Sequence, residues 1–152
     1  MGIVVIAEKG DLTSHKGIQK AINAINGPED VLWHSQPCVG GCPWTTVNLT
    51  RSEETRDKVK NHWKLFAKLW KAFEIVATHA MKVGAQVFNE WPKGCTYWSN
   101  RKVATFFKKH NFEFTIVHGC MCNLKAQYGR NVGIPIKSHG KSQDRPTQHH
   151  SS

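Results

Sequence analysis

The sequence predicts a three-layer α/β fold, a mostly parallel sheet with helices on both faces. Short apolar, β-branched runs alternate with segments of helical periodicity, and each strand-like run breaks at Gly or Pro. Four strands separated by helices imply right-handed crossovers. Ligands in such sheets sit beyond the carboxyl ends of the strands, so those ends are where a site is to be sought.

Ile3-Val4-Val5-Ile6 is a continuous apolar run that suits a strand buried on both faces, closed by Lys9-Gly10-Asp11. Thr13 or Ser14 can cap a helix whose apolar positions Ile18, Ala21, Ile22 and Ile25 recur every three or four residues, and Asn26-Gly27-Pro28 stops it. Val31 to Gln36 is the next strand, ending abruptly at Pro37-Cys38 and the Gly40-Gly41 loop. Thr50-Arg51-Ser52-Glu53 has the Thr-x-x-Glu pattern of a capping box, so a long helix follows. Its stripe of Val59, Trp63, Phe66, Trp70, Phe73, Ala77 and Ala80 reads as core rather than as a base-stacking platform, because the lysines fall mostly off it.

Gly84 ends that helix, and Ala85 to Glu90 is a third strand that breaks at Trp91-Pro92. Asn100 can cap a shorter helix carrying Val103, Phe106 and Phe107, Phe112 to Val117 alternates as a fourth strand, and Val132 to Ile136 suits a short final one. Cys120-Met121-Cys122 falls in a rim loop between the last two. From Ser138 onward apolar periodicity is lost, which divides the chain into one α/β domain over residues 1–137 and a disordered basic tail over 138–152.

A chain of 152 residues can bury a core without covalent staples, and its five cysteines are an odd count for a disulfide framework. With no secretory leader and no apolar run near the roughly 20 residues that span a bilayer, an intracellular protein without a membrane partner is expected. Lys and Arg outnumber Asp and Glu by 21 to 11, a formal charge of +10, so polyanions are attracted and nucleic acid is the leading partner class. A solvated basic surface without a specific ligand, or Trp-rich rims that pack on a protein partner or a second copy, are the alternatives.

At the strand ends Cys38 is the candidate nucleophile. Pro37 fixes the backbone before it, and Gly40-Gly41 leaves space and free N–H groups for an incoming group. The competing reading is a small buried hydrophobe. Glu90, an acid at the end of an apolar strand, must face a cleft or find a partner such as Lys93; in a cleft it can engage a heterocycle nitrogen or act as acid or base. Cys38, Cys42, Cys95, Cys120, Cys122, His34 and His118 could also converge on zinc. Neither close cysteine pair has the Cys-x-x-Cys spacing, so zinc is not expected.

Gly10-Asp11-Leu12-Thr13, a helix, a strand running into Pro37-Cys38 and a later strand ending in Glu90 resemble the middle motifs of DNA cytosine-5 methyltransferases, whose catalytic domain is Rossmann-like. Tyr128-Gly129 and Ile134-Pro135 are similar to a later segment of that family. The resemblance implies that Cys38 attacks C6 of a flipped-out cytosine, that Glu90 holds the base at N3, and that S-adenosylmethionine donates the methyl group. It assigns cofactor contacts to Asp11, Glu8 and Pro37 and implies DNA before RNA; the family's Arg-x-Arg pair near the end is absent, with Arg130 and Lys137 nearby, and these two with Lys93 are the candidate nucleic-acid contacts. No Gly-x-Gly turn occurs, so the expected fold lacks the usual N-terminal strand and glycine-rich turn. Val39 follows Pro-Cys where the family has Gln, and Trp91-Pro92 follows Glu90 where it has Asn-Val. The Pro-Cys and Glu-Trp-Pro segments also resemble stretches of retroelement-associated reading frames, which implies a degenerate or partial methyltransferase-like domain, or a non-catalytic nucleic-acid-binding or assembly module.

Overall fold

In the computed structural model, which describes residues 12–48, 52–118 and 135–140, helix α1 (His15–Asn23) begins at Ser14, whose Oγ accepts from the Gly17 amide at 3.0 Å. After α1 come β1 (Val31–His34) and the short helix α2 (Pro43–Asn48). The long helix α3 (Glu53–Lys82) is capped by Ser52, whose Oγ accepts from the Thr55 amide at 3.2 Å. The cap therefore lies two residues beyond the expected Thr50, and Glu53 and Glu54 fall in the first turn, where the helix dipole favours acids. Gly84 follows the helix at φ +87, a left-handed conformation that glycine adopts without strain.

β2 (Gln86–Pro92), α4 (Arg101–Lys109), β3 (Glu113–His118) and β4 (Pro135–Gly140) complete the described elements. The mixed α/β sheet has the order β1-β2-β4-β3. β1 and β2 pair in parallel, with Trp33 opposite Phe88 and His34 opposite Asn89, and α3 is the crossover between them. β4 is antiparallel to both β2 and β3. β1, β2 and β3 thus run the same way, while β1–β2 is the one parallel pairing among the described strands.

Strand bounds depart from the sequence pattern in three places. β1 stops at His34 rather than Gln36, and β4 spans Pro135–Gly140 rather than 132–136, reaching into the stretch expected as tail. β2 continues through Trp91 to Pro92. A proline is tolerated there because its missing N–H falls on the strand's last residue.

On β2 the buried residues Val87, Asn89 and Trp91 alternate with half-buried ones. Trp91 meets Trp70 of α3 at 5.7 Å between ring centroids, and Trp70 meets Phe106 and Phe107 of α4 at 5.8 and 5.6 Å. α3 and α4 therefore cover this face together, and α1 packs against α3 through the His79 ring, whose Nε2 lies 2.9 Å from the Ile25 carbonyl oxygen. The opposite face is open among the described residues: Val31 and Trp33 are 57% and 60% exposed. Among the described residues the sheet is covered by helices on one face.

Candidate functional site

Because β1, β2 and β3 run the same way, their carboxyl ends share one edge of the sheet. The strand pleat sorts the residues there. His34 and Gln36 turn toward α3 and are buried, whereas Ser35 lies on the other face beside Glu90. Ser35 Oγ donates to Glu90 Oε2 at 2.5 Å, tying the end of β1 to that of β2. This hydroxyl, not Lys93, is the partner of the carboxylate; the ion pairs among the described residues are Glu54–Lys58 and Asp57–Lys60. Lys93 is exposed just beyond β2.

Trp91 Nε1 donates to the Gln36 carbonyl at 3.1 Å and fixes the backbone immediately before Pro37-Cys38. At Cys38 the chain turns: the Gly41 amide donates to the Cys38 carbonyl at 2.9 Å across a single 3-10 turn over Val39–Gly41. Gly40 and Gly41 are not open space. A Cβ on Gly40 would lie 2.5 Å from the Tyr97 hydroxyl, and one on Gly41 would lie 2.8 Å from the Tyr97 ring and 2.9 Å from Cys95 Sγ. The expected room and free amides are thus taken: the ring and thiol fill the loop, and the Gly41 amide is bonded within its own turn.

Cys38 is half-buried and packs against the core. Its thiol is held above its ordinary pKa, chiefly by burial, then by Cys42 and by Glu90, against a hydrogen bond with its own backbone. Cys95, buried behind it, is pushed up to about 11 by burial, with Cys38, Cys42 and Glu90 adding to the shift and a Tyr97 backbone hydrogen bond opposing it. Tyr97 rises to about 12, again by burial first, with Cys95 adding to it. Burial and the neighbouring rim groups thus raise both the Cys38 and Cys95 thiols, which are protonated at neutral pH. Ser35 and Glu90 join the ends of β1 and β2, and Cys38 lies three residues beyond Ser35.

The other candidates fall differently. Pro37 is exposed on the rim. Lys137 lies on β4 opposite Trp91 of β2 and Ile116 of β3. Glu8, Asp11 and Arg130 lie outside the described residues, as do Cys120, Cys122 and the Tyr128-Gly129 segment. His34 points inward: it stacks on Phe73 at 4.2 Å, its Nδ1 lies 2.5 Å from Asn89 Oδ1, and burial lowers its pKa to about 4 against that hydrogen bond. Among the described residues no group of three or more His, Cys, Asp or Glu side chains is disposed to hold a metal ion.

Ser35 and Tyr97 are the site residues that sequence reasoning missed. For Tyr97 a signal existed, because a buried Gly-Gly turn implies a large side chain lying against it. Ser35 offered none. No family model matches the chain, and neither a curated protein nor a solved structure matches it.

Proposed function

We propose that the rim is the nucleophile site of a nucleic-acid-associated, methyltransferase-like domain, with Cys38 and Glu90 acting on one pyrimidine ring. The observation that carries the proposal is geometric: the Ser35 hydroxyl ties Glu90 at the end of β2 to the end of β1, next to the Pro37-Cys38 turn, close enough for Glu90 to add to the raising of the Cys38 thiol by burial. In this reading Cys38 Sγ adds to C6 of an unstacked cytosine, and Glu90 in its protonated form meets the charge that develops at N3. The S–C6 bond forms as the C5=C6 π electrons move into the ring, and the thiol proton leaves to water. Lys93 and the formal charge of +10 supply the attraction for the phosphate backbone.

The three-layer Rossmann-like architecture belongs to the same reading. It is supported by the common direction of β1, β2 and β3, by the α3 crossover, and by the open apolar face at Val31 and Trp33, while one reversed strand is common in sheets of this class. Glu8 and Asp11, to which the resemblance assigns cofactor contacts, lie outside the described residues, so the reading is built on the chain's own thiol and carboxylate.

The test is trapping on DNA that carries 2-pyrimidinone, a base more electrophilic at C6 than cytosine and able to add a thiol without a methyl donor. Wild-type protein is expected to give an adduct stable to denaturing electrophoresis and Cys38→Ser none, while Glu90→Gln slows trapping by about 10²-fold, the scale of a lost acid–base group. No adduct with wild type, or an equal adduct with Cys38→Ser, would overturn the reading.

A further inference from the structure

The side of α3 that faces α4 is not sealed. Between the two helices runs a groove of about 890 Å³ whose floor is Ala67 and the half-buried Trp63, above the buried rings of Phe66, Trp70 and Phe106. It extends from Trp63 to Thr78 on α3, about 22 Å at helical rise. Exposed Ala67 is small enough to leave the middle open. Arg101, Lys102 and Lys109 line the α4 wall, and a second hollow sharing Trp63 and Ala67 continues along α3 past Arg56 and Lys64. None of these five cations has an acidic partner within ion-pair distance among the described residues. The one carboxylate in the groove, Glu74, accepts from Trp70 Nε1 at 3.1 Å.

We infer that this groove is a docking site for an amphipathic helix of another protein, apolar on one face and acidic on its flanks. The floor calls for apolar side chains, the length fits a helix of about four turns, and the cations on both sides call for carboxylates. A second copy of this chain, at +10, is repelled rather than attracted. A single nucleic-acid strand would also satisfy the cations, but it needs a run of exposed ring faces for successive bases, and of the Trp and Phe rings that line the groove Trp63 alone is not buried. The groove lies against the helices rather than on the rim of Ser35 and Glu90, so the inference stands independently of the thiol chemistry.

Fluorescence anisotropy of a labelled peptide about 15 residues long, the length of the groove at helical rise, decides the matter. Its design is Leu at the i, i+3, i+4, i+7 positions of a helix and Glu elsewhere. It is expected to bind wild type, and to bind the double variant Lys102→Glu/Lys109→Glu and the groove-blocking Ala67→Glu at least about tenfold more weakly. All three positions are exposed, so circular dichroism is expected to show an unchanged fold. A peptide with Lys in place of Glu is expected not to bind. Equal affinity for wild type and the variants, or no binding to wild type, would overturn the inference. So would oligothymidylate binding that the variants abolish while the acidic peptide stays unbound, which would mark the groove as a nucleic-acid surface.

Discussion

At the scale of single residues, burial rather than identity decides what each side chain can do. His34 lies in sequence next to the rim residue Ser35 and looks available there. In the fold it is sandwiched against Phe73 and bonded to Asn89, and its pKa falls to about 4. Its folded pKa lies below the unfolded value near 6.5, so the unfolded chain binds the proton first as pH drops. The stability this contributes is whole above about pH 6.5 and is lost as pH falls toward 4, a span worth about 3 kcal/mol. Urea unfolding at pH 7 and pH 5 should show the loss in wild type, and His34→Phe should flatten it while keeping the stack on Phe73. An unchanged wild-type midpoint between the two pH values would mean that His34 is not buried neutral. The same neighbourhood carries the cost of unpaired polarity: the side-chain amide of Gln36 and Nδ2 of Asn89 are buried without hydrogen-bond partners among the described residues.

Among the elements, α3 does most to hold the site in place. It is the crossover between the strands that carry Ser35 and Glu90, and its buried stripe of Phe66, Trp70, Phe73 and Ala77 faces the sheet. Trp70 touches Trp91, Phe106 and Phe107 and bonds Glu74, so it joins helix α3 to both β2 and α4. Trp70→Ala is expected to cost about 3–5 kcal/mol in chemical denaturation, against about 1 kcal/mol for removing the cap with Ser52→Ala. If the two cost the same, α3 would not be the packing centre described above.

At the scale of the whole molecule, much of the frame is legible in the sequence, because helical stripes and strand ends are local patterns. The stripe from Val59 to Ala80, the Ser14 and Asn100 caps and the stop at Gly84 all follow from short-range chemistry. The meeting of the β1 and β2 carboxyl ends, where Ser35 bonds Glu90, is legible too, since it needs only parallel strands joined by a crossover. What was not legible depends on distant partners. Two hydroxyl residues precede Glu53, and the local pattern could not choose Ser52 over Thr50. Trp91-Pro92 reads as a stop, yet Trp91 is held in the strand by burial under α3 and by its bond to Gln36. Gly40-Gly41 reads as empty because the ring that fills it comes from beyond β2.

The central claim is that these strand ends place the Cys38 thiol within the field of the Glu90 carboxylate. The pH dependence of Cys38 alkylation by iodoacetamide, resolved from Cys42 and Cys95 by peptide mass, measures that field directly. In wild type the rate should rise only above the pH range of an ordinary thiol, and Glu90→Gln should move the rise toward lower pH. A profile at the ordinary thiol range that Glu90→Gln leaves in place would contradict the account.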